Sequence, residues 1–284
     1  MLGGVIETMN MLKTTVLLAA LTSLFLGVGY FLGGPIGLVI ALGFGGAMNF
    51  FAYWSSDKLA LRMAGAHEVS LQDAPKLHAM VEAVAAQARL PKPKVYIIQS
   101  DTPNAFATGR NPHHAAVAVT TGIQSLLSER ELRGVLGHEL GHVKSRDILT
   151  SSIVATLAGA ISMLAWMSLF FRGRGGYGAI ISLAAFLLAP LAAGRIQAGI
   201  SRAREYQADI SGAEITHDPL ALASALEKLQ QGVKERPMEA TPMAESTAHL
   251  YIVNPFRGGG LVSLFSTHPP MEERVRRLRE MAGR

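Results

Sequence analysis

The chain has 284 residues, no Cys, 49% hydrophobic residues and only 17% charged residues, with a mean hydropathy of +0.28; this is too apolar for an ordinary soluble domain, and a membrane protein is expected. The absence of Cys excludes disulfides and thiolate ligands, so any metal site must be built from His, Asp or Glu. The net charge of +5 comes without a basic stripe interleaved with aromatics, which argues against a nucleic-acid partner, and basic residues flanking apolar segments at an anionic membrane face account for it.

In chain order, no charged residue occurs from Thr14 to Ser56, a run long enough for two passes at about 20 residues each. The Gly33-Gly34-Pro35 break predicts a helical hairpin of 12–32 and 36–54. The run continues past any plausible cleavage site, which favours an uncleaved anchor over a signal peptide. After Pro75, the spacing of Leu77, Met80, Val81, Val84 and Ala88 predicts a helix, and strands are expected over 94–99 and 115–120, bracketing Asn104 to Gly109. Ser128 and Glu131 form a capping box, and Leu132, Val135, Leu136 and Val143 continue it as an apolar stripe, predicting one helix over 129–146. A second charge-free run, Ile148 to Phe171, is followed by a loop carrying Arg172 and Arg174 and by the shorter apolar stretch 179–194, interrupted by Pro190. Asp218-Pro219 opens a further helix, 234–248 reads as a loop, and Thr267-His-Pro-Pro270 precedes a charged C-terminal helix.

The expected organisation is an N-terminal transmembrane hairpin (1–56), a first polar block (57–147), a second hydrophobic hairpin (148–195) and a second polar block (196–284). If every apolar segment spans, Lys13, Lys58, Arg62, Lys144, Arg146, Arg195, Arg202 and Arg204 fall on one side, which is then cytoplasmic. Arg172 and Arg174 dissent from that bias.

Residues 137–142 read Gly-His-Glu-Leu-Gly-His. On a helix His138 and His142 share a face and can point imidazole nitrogens at one ion. Glu139 lies about 100° around the axis, beside the metal, where a general base must sit to deprotonate a water. Chance H-E-x-x-H matches are expected in on the order of one in a hundred such chains. Here the motif falls late in an independently predicted helix. Gly137 and Gly141 each cost about 1 kcal/mol relative to Ala in a helix, and so suggest close approach of another backbone or of a substrate.

Two histidines leave a zinc site one protein ligand short, and the positions three and six beyond His142 are Ser145 and Ile148, so no third histidine follows at that spacing. Glu205 and Asp209 stand at i and i+4 in the second polar block. Our reading makes Glu205 the third ligand and Asp209 the acceptor of a hydrogen bond from a ligating histidine; the alternative is a solvated face on which Arg202 or Arg204 pairs with these acids. The metal reading requires that 148–171 and 179–194 both cross the bilayer or that neither does. The adjacent His113 and His114 are expected in a loop, and His67, His78, His217 and His249 are taken as structural or surface residues.

The motifs H-E-L-G-H, S-R-x-R-E-Y-x-A-D, N-A-F-A-T-G and T-H-P-P-x-x-E-R together resemble the HtpX family of bacterial membrane zinc endopeptidases, related to the CAAX prenyl protease and the mitochondrial Oma-type proteases. The resemblance implies a predominantly α-helical integral membrane protein with two hydrophobic hairpins and a cytoplasmic gluzincin-like α+β protease domain containing a small β-sheet. It implies one zinc ion per subunit held by His138, His142 and Glu205, with Glu139 as base and Asp209 behind the ligands. It implies that His268 stabilises the oxyanion with Arg274 orienting it, and that Asn104, Ala105, Phe106, Ala107, Thr108 and Gly109 form an edge strand for substrate. The implied partners are membrane or misfolded polypeptides and the lipid bilayer, with a role in quality control and stress. Competing classes are a non-cleaving zinc scaffold, a transporter, against which the charge-free runs argue, and a prenyl-protein protease.

Overall fold

The computed structural model describes residues 58–146, 202–239, 250–256 and 269–283, with scattered helical positions between 16 and 54. The apolar stretch 148–194, most of 14–56, and His249 and His268 lie outside the described residues. No helix among the described residues is long and apolar enough to cross a membrane. The chain divides into two units, residues 1–53 with 149–201 and residues 54–148 with 202–284; the second holds every element named below.

Four strands, β1 (Ala66–Glu68), β2 (Lys94–Ile98), β3 (Ala105–Thr108) and β4 (Ala116–Thr120), form one sheet in the order β1-β2-β4-β3. The pair β2/β4 is parallel, while β1/β2 and β3/β4 are antiparallel. The sheet is thus mixed, and β3 stands at its edge. Side chains alternate between the faces as the pleat requires. Ala105, Ala107, Val95, Val117 and Val119 enter the main core, whereas Phe106, Ala116, Ala118 and Ile98 join a smaller cluster with Leu61 and Tyr251.

Helix α1 (Pro75–Ala88) begins at a proline and buries the predicted stripe. A short helix α2 (Thr121–Leu126) and the strand β1, neither signalled by periodicity, complete the first polar block. Helix α3 (Glu129–Ser145) starts at the predicted capping box: Ser128 accepts from the Glu131 amide and the Glu131 carboxylate returns to the Ser128 amide. It ends at Arg146 in the left-handed conformation, φ 52°. Helix α4 runs over 202–216, and α5 (Pro219–Glu235) opens where expected, with Asp218 capping the Ala221 amide. Helix α6 (Met271–Ala282) follows Pro270. The predicted loop at 234–248 begins later than expected, since α5 continues to Glu235, and 240–249 are outside the described residues.

Helix α3 lies between the sheet and the other helices, packed on α1, α5 and β3. Its buried Glu131 accepts from Ser224 Oγ at 2.6 Å and from Lys228 Nζ at 2.8 Å, tying α3 to α5. Leu136, Leu222, Leu226, Leu229 and Leu278 are fully buried where α3, α5 and α6 meet, each contributing about 1.5–3 kcal/mol. The motif helix is therefore held on a rigid platform.

Candidate active site

His138, Glu139 and His142 are buried on α3, and Glu205 and Asp209 are buried on α4. Two glycines allow the helices to meet. A Cβ on Gly212 of α4 would stand 2.6 Å from the His138 nitrogen and 2.8 Å from its Cα. A Cβ on Gly137 would stand 2.6 Å from Thr216 Cγ2 and 3.0 Å from the Gly212 carbonyl oxygen. The close approach expected from the two motif glycines is thus made by the backbone of α4.

The crossing brings three candidate ligands together. The Nε2 atoms of His138 and His142 are 3.2 Å apart, and the Glu205 carboxylate spans the pair, with Oε2 3.6 Å from His138 Nε2 and Oε1 3.6 Å from His142 Nε2. Ligands about 2.0–2.2 Å from a tetrahedral ion stand roughly 3.3–3.6 Å from one another, so the triangle fits one divalent cation. Among the described residues this is the group of acids and histidines able to hold a metal. Charge supports the fit. Glu139, Glu205 and Asp209 are three buried carboxylates facing one buried guanidinium, Arg274. Ligation requires neutral imidazoles, and with all three carboxylates ionised two negative charges then remain, which a divalent ion cancels.

Around this triangle, His138 Nδ1 lies 2.9 Å from Asp209 Oδ1. An Nδ1–H donated there leaves the Nε2 lone pair aimed at the ion position. Arg274, fully buried on α6, grips Asp209 with a two-pronged fork, Nε to Oδ2 at 2.8 Å and Nη2 to Oδ1 at 2.7 Å. Its Nη1 donates to the Ile252 carbonyl at 3.1 Å and lies 3.4 Å from Glu205 Oε2. The general-base candidate Glu139 accepts from the Ala107 amide of β3 at 2.7 Å.

Beside this triangle of candidate metal ligands, two of them in an H-E-x-x-H helix, stand the family matches. Residues 71–282 match the model of Peptidase family M48. The chain belongs to peptidase family M48. Among the relatives described as Protease HtpX homolog, one from Methylibium petroleiphilum is 57% identical over 276 residues, covering 96% of this chain and 98% of its own. One from Burkholderia multivorans is 54% identical over 277 residues, covering 96% and 97%. The solved structure of Ste24p from S. mikatae shares the fold, with a TM-score of 0.54 at 21% identity over 96% of this chain and 66% of that one. The described part is accordingly an M48 peptidase fold of helices and a small mixed sheet.

The electrostatics of this M48 centre follow from burial. Desolvation pushes the Glu139 carboxyl above the ordinary carboxylate range, although His138 and His142 pull against it. Burial also opposes charge on Asp209, but Arg274 and His138 outweigh it and keep that carboxyl low. For His138, burial disfavours the cation, yet hydrogen bonds to Asp209 and Glu205 raise its pKa to about 9.

Of the residues singled out in the sequence, His138, Glu139, His142, Glu205, Asp209 and Arg274 converge in this M48 centre. Arg274 meets Asp209 and Ile252, while His268, which it was expected to orient, is outside the described residues. The anticipated edge strand is narrower than Asn104 to Gly109. Asn104 is fully buried, with Nδ2 donating to the Val253 carbonyl at 2.7 Å, and Phe106 packs edge-to-face on Tyr251 away from α3. Ala105 gives its carbonyl to the Ile252 amide at 3.2 Å. Ala107 turns its amide to Glu139, and Thr108 pairs with Ala116 of β4. Gly109 has φ 141°, and a Cβ there would stand 2.4 Å from the His114 carbonyl oxygen. The segment 250–256 and Gly212 were not singled out; the apolar triplet Tyr251-Ile-Val253 after a polar stretch was the available signal for the first.

Proposed function

We propose that the chain is a zinc-dependent endopeptidase of a bacterial inner membrane, hydrolysing membrane or misfolded polypeptides at the cytoplasmic face, in membrane-protein quality control under stress. The observation that carries the chemistry is the triangle of His138, His142 and Glu205 with the buried Glu139 beside it. The membrane assignment is supported by the apolar runs at 14–56 and 148–194 and by their basic flanks. In this reading 1–56 and 148–195 are hydrophobic hairpins, and 57–147 with 196–284 form the protease domain.

Bound at His138, His142 and Glu205, zinc would supply Lewis acidity, acidifying water and polarising a carbonyl. Glu139 takes the proton of the attacking water and returns it to the leaving amine; burial, by raising its carboxyl, makes it a better proton acceptor than an ordinary carboxylate. The Ala107 amide fixes the orientation of that carboxylate. Asp209 holds the tautomer and ring plane of His138. In this reading an extended substrate pairs its main chain along the Asn104–Gly109 segment, so many sequences are accepted; it does so beyond, or in exchange for, the contacts that the Ala105 carbonyl makes with Ile252 and the Ala107 amide with Glu139. The family pattern assigns the oxyanion to His268.

The test is cleavage of casein in detergent by the zinc-loaded full chain and by Glu139→Gln. The expected result is loss of cleavage with zinc retained in the variant; a fully active Gln variant rejects the mechanism. Glu205→Ala should lose zinc by elemental analysis, and normal content would reject the third ligand. Cleavage confined to prenylated peptides would favour the prenyl-protein reading.

A further inference from the structure

The polar contacts of the site close into a ring. It leaves α3 at Glu139, which accepts from the Ala107 amide on β3. Two residues back along β3, the Ala105 carbonyl accepts from the Ile252 amide. The Ile252 carbonyl accepts from Arg274, Arg274 grips Asp209, and Asp209 meets His138, which is covalently next to Glu139. The base, the substrate edge and a metal ligand are thus joined through one guanidinium. Its position is fixed, because Arg274, Asn104, Ala105 and Ile252 are all at most 2% exposed.

We propose that Arg274 is a positioning residue that sets the outer edge of β3 relative to the metal ligand His138, acting on one side through Asp209 and on the other through Ile252. This rests on the assignment of β3 as the substrate edge and of His138 as a ligand.

The chemistry of the side chain makes it suited to this. Guanidinium donors lie in one rigid plane, so the two prongs on Asp209 dictate where the Nη1 donor points, and hence where the Ile252 carbonyl must sit. Ile252 uses its amide on β3 and its carbonyl on Arg274, so a shift of one is passed to the other. Asn104 reinforces the strand side, clamping Val253 by Nδ2 to its carbonyl at 2.7 Å and accepting from its amide at 3.4 Å. A lysine at 274 retains a charge for Asp209 but has no planar fork with which to hold Ile252.

The experiment uses the full chain in detergent and reads two quantities separately: zinc affinity, and binding of fluorescein-labelled casein to chelator-treated protein by anisotropy. Arg274→Lys is expected to weaken casein binding roughly tenfold even without metal, and zinc affinity by a similar factor, the scale on which outer partners of ligands act. Asn104→Ala, which leaves Asp209 and Arg274 untouched, should weaken casein binding and spare zinc affinity. If Arg274→Lys weakens zinc alone, the coupling to β3 is overturned while the protease reading stands. If the wild-type chain binds neither zinc nor casein, the protease reading falls and this proposal with it. Thermal melts of both variants establish folding, and should Arg274→Lys not fold, casein bound at wild-type affinity by Asn104→Ala overturns the proposal.

Discussion

Replacing Gly212 by Ala tests whether close packing of α3 on α4 builds the ligand triangle. The new Cβ would stand 2.6 Å from the His138 backbone nitrogen and 2.8 Å from its Cα, against about 3.5–4.0 Å for ordinary contacts. Because the obstacle is main chain, no rotamer relieves it, and the helices must separate by on the order of 1 Å. Overpacking costs about 1–3 kcal/mol, while Ala in place of Gly returns about 1 kcal/mol of helix propensity. Fold stability should therefore fall only slightly. Metal binding is less forgiving, since ligand distances tolerate about 0.2 Å, and a misplacement near 1 Å costs roughly a hundredfold in rate. The expected outcome is a thermal midpoint only a few degrees lower, with zinc affinity and casein cleavage reduced by about two orders of magnitude. Wild-type zinc affinity and cleavage in Gly212→Ala would refute the argument that this contact places Glu205.

Two pH effects follow from the buried charges. Burial resists ionisation of Glu131, but Lys228, Ser224 and Ser128 bring its pKa from 4.5 down to about 2. Its contribution, on the order of 3 kcal/mol, is full above pH 4.5 and lost as pH falls through about 2. Glu131→Gln should accordingly lower the melting temperature at pH 6 and converge with wild type near pH 2; a constant offset at every pH would contradict the assignment. With zinc stripped by a chelator, His138 holds a proton up to about pH 9, and zinc must displace it. Zinc affinity should rise about tenfold per pH unit between 7 and 9 with release of a proton, measured by competition titration in weakly buffered solution; a flat affinity over that range would be inconsistent with a protonated His138.

The sequence alone fixed what local rules govern. The capping box at Ser128 and Glu131, the proline starts at Pro75 and Pro219, and the short β-prone run at 115–120 announce elements whose ends the structure places within a residue or so. The i, i+4 pairs His138/His142 and Glu205/Asp209 were equally visible, because one turn of helix puts both members on one face whatever the rest of the chain does. Strand β1 and the short helix α2 were not visible, since three and six residues carry too little periodicity to stand out. What Arg274 does was also undetermined: nothing in its local spacing says that a guanidinium on α6 reaches Asp209 and the Ile252 carbonyl, 65 and 22 positions away. Likewise, Gly137 signalled a close neighbour, but only the crossing of two helices identified Gly212 as that neighbour. Residue types and spacing along one element are properties of the chain, and so the chemistry could be read from it; which elements touch is decided by long-range packing, and with it the distances that make those residues a site.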